Sequence, residues 1–125
     1  MKEQPHKTHQ TIKENKAEIL TFVNSKTKAE ITLDFSTLKR SLLTLRAVNH
    51  PLRKEILQLI EQKKRVTVTE LYTRLRIEQS LASQQLGLLR KAGAIEATRD
   101  GKFIYYTINH KRINEIAQFA DKLAQ

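Results

Sequence analysis

The chain has 125 residues, with 23 Lys and Arg against 13 Asp and Glu for a formal net charge of +10, which fits one compact domain and a polyanionic partner, either nucleic acid or an anionic membrane surface. It contains no cysteine, which excludes a disulfide framework, a thiolate metal site and a thiol redox switch. No segment reaches the roughly 20 consecutive apolar residues of a membrane span, and the polar start from Met1 to Gln10 has no apolar leader region, so a soluble, cytoplasmic protein is expected.

Residues 1–35 form an N-terminal extension whose pattern supports two readings. Ile12, Ile19, Leu20, Phe22 and Val23 fit one face of a helix, whereas Glu18 to Val23 and Ala29 to Phe35 alternate as two short strands around a polar turn. From Ser36, a domain over 36–125 begins with Leu38, Leu42, Leu45 and Val48 at helical spacing, ending near Asn49. His50-Pro51 opens a second helix, because proline suits a first helical turn and disfavours helix in the residue before it. Leu52, Ile56, Leu59 and Ile60 line its apolar side as far as Lys63-Lys64-Arg65. Thr67 and Glu70 have the spacing of a capping box that starts a short third helix.

A fourth helical pattern, with Leu81, Leu86, Leu88 and Leu89, stops at Gly93, a residue suited to a left-handed cap. The tight join between the third and fourth helices reads as a helix-turn-helix. Ile95 to Arg99 and Lys102 to Ile108 are β-type runs around Asp100-Gly101, which favours a two-residue hairpin turn. Tyr105 and Tyr106, adjacent in the second run, face opposite sides of it. Asn109 can cap a last helix with an apolar stripe of Ile113, Ile116, Ala117, Ala120 and Leu123. The expected fold class is mainly α, a winged helix-turn-helix with a two-stranded β-hairpin wing.

This order of elements sets a groove-sized helix beside a basic β-ribbon, an arrangement that reads double-stranded DNA. Gln79, Ser80, Ser83, Gln84 and Gln85 can donate and accept at base edges, glutamine bidentately with adenine. Arg99 and Lys102 flank the wing turn, while Lys63, Lys64, Arg65, Arg74 and Arg76 surround the helix-turn-helix as candidate phosphate contacts. Glu78 would repel phosphate and is left out of this set. The charge follows the same division, because residues 1–34 hold six Lys against five acids and so leave +9 to the remainder.

Residues 45–125 resemble the ArsR/SmtB winged-helix regulators. The resemblance lies in Leu45-Arg46-Ala47-Val48-Asn49-His50-Pro51-Leu52-Arg53, in Ile77 through Leu86 as the recognition helix, in Leu88 through Ile95 as its exit, and in Arg99 through Ile108 as the wing. It implies a regulator, more readily a repressor, acting on a palindromic operator. It also implies a homodimer built from the terminal helices, with Leu38, Leu42 and Leu45 from the first and Ile113, Ile116, Ala120 and Leu123 from the last. The alternative is that both stripes pack into the monomer's own core. Where members of the family place Cys-x-Cys, this chain has Thr67 and Thr69, whose hydroxyls are poor ligands for soft metals. The last helix offers only His110 near its start, and His6 and His9 lie in a polar terminus, so no metal or other cofactor is expected. No arrangement of nucleophile, base and orienting group stands out, which speaks against an enzyme. The competing reading is a winged helix used as a protein-interaction or RNA-binding module, since a fold does not fix a function.

Overall fold

A computed structural model describes residues 18–125, which form two compact units, one ending at Leu42 and the other comprising Leu43–Gln125. The first unit contains an antiparallel hairpin of β1 (Ile19–Val23) and β2 (Glu30–Asp34), with Leu20 opposite Leu33 and Phe22 opposite Ile31. The strand reading therefore holds for residues 19–34 and the helical one does not; Ile12 lies outside the described residues. No Gly or Pro marks the turn. Instead the Asn24 Oδ1 accepts the amides of Lys26 at 2.9 Å and Thr27 at 3.1 Å, and Lys28 takes a positive φ of 68°.

Helix α1 (Phe35–Val48) follows β2 without a loop. Asp34 caps it, accepting from the Ser36 amide at 3.0 Å, the Ser36 hydroxyl at 2.8 Å and the Thr37 hydroxyl at 3.1 Å. The Ser36 hydroxyl, with the Thr37 amide, holds the Asp34 carboxyl below its ordinary pKa. The expected start at Ser36 is thus one residue late, and the division between the two compact units falls inside α1, after Leu42.

In the second unit, α2 (Pro51–Lys63) begins with Pro51 at its first position and His50 as N-cap, the ring Nδ1 accepting the Leu52 amide at 3.2 Å. Helix α3 (Val68–Leu75) starts from the expected capping box: Thr67 Oγ1 accepts the Glu70 amide at 3.1 Å and Glu70 Oε1 accepts the Thr67 amide at 2.9 Å. Arg76 ends α3 in the left-handed conformation, and after a three-residue turn α4 (Gln79–Lys91) begins. Gly93, at φ +79°, turns the chain out of α4. β3 (Ile95–Asp100) and β4 (Phe103–Ile108) then form the wing, before α5 (His110–Ala124) starts from Asn109, whose side chain accepts the Arg112 amide.

The turn residues of the wing are Gly101 and Lys102, one position later than Asp100-Gly101, because Asp100 pairs with Phe103. Positive φ at Gly101 alone is the pattern of a type II′ turn, in which the first central residue needs the glycine. Ile56, Leu59 and Ile60 of α2, Leu71 of α3, Ala82, Leu86 and Leu89 of α4, and Val66, Ala94 and Ile95 make the core. Val66 joins the wing sheet by exchanging backbone hydrogen bonds with Tyr106 at 3.1 and 2.8 Å. This fold is a mainly helical winged helix-turn-helix with five described helices. No described helix is long and apolar enough to cross a membrane.

Candidate nucleic-acid interface

Helix α4 has two opposed faces set by its sequence. Ala82, Gln85, Leu86 and Leu89, spaced by three and four residues, are buried against α2, α3 and β3. Gln79, Ser80, Ser83 and Gln84 lie on the other side, all exposed, with Gly87 on the same side. A Cβ at Gly87 would meet nothing within 4 Å, so the chain itself does not demand glycine there, and the exposed backbone lies open to close approach.

Gln85 is a correction to the base-reading set. It is 7% exposed, on the core side of α4, and its Oε1 accepts from Arg53 Nη1 at 2.7 Å. The Arg53 Nε donates to the Ala47 carbonyl, so one guanidinium ties the C-terminal turn of α1 and the body of α2 to the buried side of α4. A buried amide needs such a partner, because desolvation without a hydrogen bond costs about 1–3 kcal/mol. The signal was present in the sequence: position 85 falls in the Ala82-Leu86-Leu89 stripe, where a polar residue implies an internal partner.

The cations divide in the same way. Arg99 and Lys102 are exposed on the wing, and Lys63, Arg74, Arg76 and Arg99 make no ion pair among the described residues. Lys102 Nζ stands 5.7 Å from the centroid of the Phe103 ring. Arg65 is occupied: its Nη1 pairs with Asp100 Oδ2 at 3.2 Å, and its guanidinium lies 3.8 Å over the Tyr105 ring. It braces the outer face of the wing through this exposed pair and the ring contact. Lys64 pairs with Glu61 at 3.4 Å, an exposed i, i+3 contact of little energetic weight that a phosphate can displace. Tyr106 packs on the core and Tyr105 faces the opposite side under Arg65.

The Glu61 carboxylate, which the sequence reading did not single out, also receives His110 Nε2 at 2.8 Å, linking the start of α5 to the end of α2. His110, followed by Lys64, lowers the Glu61 pKa. Among the described residues no group of three or more His, Cys, Asp or Glu could hold a metal ion, and Thr67 serves as the cap of α3; His6 and His9 lie outside the described residues.

Residues 50–97 match the family model described as bacterial regulatory protein, arsR family. The chain is 39% identical over 74 residues to the uncharacterized HTH-type transcriptional regulator Rv0081 of Mycobacterium tuberculosis, a match covering 59% of this chain and 65% of that protein's length. The crystal structure of Rv0081 superposes with a TM-score of 0.56 at 35% identity, over 70% of this chain and 88% of that one. The transcriptional repressor PagR of Bacillus anthracis superposes with a TM-score of 0.57 at 28% identity, over 69% and 98%. A homodimeric winged helix-turn-helix DNA-binding domain, Mb0332 from Mycobacterium bovis, does so with a TM-score of 0.59 at 25% identity, over 71% and 82%.

Proposed function

This chain belongs to the arsR family of bacterial regulatory proteins, and from that premise we propose that it is a transcriptional repressor that binds a palindromic DNA operator as a homodimer. The observation that carries the reading is α4, which turns its apolar side and Gln85 inward and leaves Gln79, Ser80, Ser83 and Gln84 exposed at its N-terminal half. That is where a recognition helix meets base edges. Arg99 and Lys102 on the wing, with Lys63, Arg74 and Arg76, contact the phosphates. The resulting repression is occupation of a promoter, which needs no further surface on the protein.

Dimerisation is supported by the terminal helices. Neither α1 nor α5 contributes a single buried residue, although Leu38, Leu42 and Leu45 line one and Ile113, Ile116, Ala120 and Leu123 the other. Leu42 and Leu123 are exposed, as are Leu43 and Phe119 beside them. Each stripe, taken by itself, fits the self-complementary interface of a two-fold dimer.

Salt dependence tests the electrostatic half of this reading. Because each phosphate contact contributes about 0.9 to the slope of log affinity against log salt, the R99A/K102A variant is expected to flatten that slope by about 2 per protomer on any duplex. An unchanged slope, measured by fluorescence anisotropy between low and moderate salt, would remove the wing from the interface.

A further inference from the structure

The β1–β2 hairpin is an anomaly for its size. A two-stranded sheet alone is marginal in water, yet its apolar side chains are open: Ile19 is 55% exposed, Phe22 53% and Ile31 67%, with Leu20, Val23 and Leu33 also exposed. The family model matches residues 50–97, so the hairpin stands outside the segment that it covers.

Its two edges are unlike. The Phe35 amide donates to the Glu18 carbonyl and the Asn24 amide to the Ala29 carbonyl, which makes the even-numbered positions of β1 the ones bonded to β2. By the alternation of an antiparallel ladder, the N–H and C=O groups of Ile19, Thr21 and Val23 therefore point outward from β1, and those of Glu30, Thr32 and Asp34 outward from β2. β1, Ile-Leu-Thr-Phe-Val, has no charge and no proline, the devices that keep an edge strand from pairing.

We infer that β1 pairs antiparallel with β1 of a second copy of this chain, about a two-fold axis at Thr21, giving a four-stranded sheet across the dimer. The register is self-complementary: Thr21 meets Thr21 of the partner subunit, Ile19 meets Val23 of the partner subunit, and Leu20 meets Phe22 of the partner subunit. The corresponding pairing through β2, about Thr32, would set Glu30 against the partner's Asp34 twice, and like charges directly opposite are destabilising. In the β1-paired sheet the β2 strands become the outer edges, where Glu30 and Asp34 block addition of further chains. Leu20, Phe22, Ile31 and Leu33 of both copies then form one continuous apolar face. The pairing rests on the homodimer reading and adds to it a contact that the terminal helices do not supply.

The absence of native cysteine makes the test direct. Residues directly opposite in a bonded antiparallel pair have Cα atoms about 5.5 Å apart, within the roughly 4.4–6.8 Å span of a disulfide. Mild oxidation of T21C in the full chain, at low protein concentration, is expected to give a covalent dimer, while K26C, exposed in the hairpin turn, stays uncrosslinked. T21P removes an outward N–H and the 3.4 Å hydroxyl contact of Thr21 with Thr32, sparing the backbone bonds to β2, and is expected to raise the dimer dissociation constant by about tenfold or more, read by sedimentation. T21C crosslinking no faster than K26C, or a T21P constant unchanged within about twofold, overturns the pairing; coverage of β1 by residues preceding it or by another protein would give that result. A chain that sediments as a monomer throughout overturns the homodimer reading as well, whereas a dimer indifferent to T21P overturns this pairing alone.

Discussion

Replacing Ser83 and Gln84 together by alanine is expected to abolish discrimination of the operator while leaving salt-sensitive binding to unrelated duplexes in place. Both side chains are exposed and lie opposite Ala82, Leu86 and Leu89, so the fold loses neither packing nor an internal hydrogen bond. Stability should change by no more than about 0.5 kcal/mol. A bidentate contact to a base contributes about 1–3 kcal/mol of discrimination, and a two-fold dimer makes it twice, so operator affinity should fall by about 2–6 kcal/mol. Competition between operator and random duplex measures this directly. If both duplexes weaken equally, these residues act on the backbone and the reading face lies elsewhere.

The second large effect is expected from Ile116→Asp. Ile116 is half-buried on α5 and is not among the residues packed against the core, unlike Ile113 on the preceding turn. A carboxylate there is tolerable in a monomer but costly in an apolar dimer seam, where an unpaired charge would be desolvated. The variant should remain folded by circular dichroism, sediment as a monomer, and lose affinity for a two-half-site operator by about 10²-fold or more, the usual gain from joining two binding modules. Retention of the dimer would place the interface away from α5.

Much of this fold was legible because local chemistry declared it. His50-Pro51, the Thr67–Glu70 box, Gly93 and Asn109 each sit where an element starts or stops, and each performs the backbone task its side chain suggests. The hairpin at 19–34 was less legible because its turn uses an asparagine side chain and a positive-φ lysine in place of glycine. The burial of Gln85 and the internal partner of Arg65 were missed for a common reason. Polar residues near a basic helix-turn-helix look like nucleic-acid contacts until their own partners are known. Those partners, Arg53 at 32 positions before Gln85 and Asp100 at 35 positions after Arg65, are remote in sequence. Arg53 shows the cost of that remoteness most plainly, since it joins Ala47 of α1 to Gln85 of α4.

The most direct test of the central claim is selection of the purified protein on a library of random duplexes at moderate salt, followed by sequencing of the bound fraction. A sequence-specific dimeric repressor enriches a palindrome whose half-sites lie about one helical turn apart. Salt-sensitive binding with no enriched sequence would contradict the account and leave a basic winged helix whose partner is RNA or another protein.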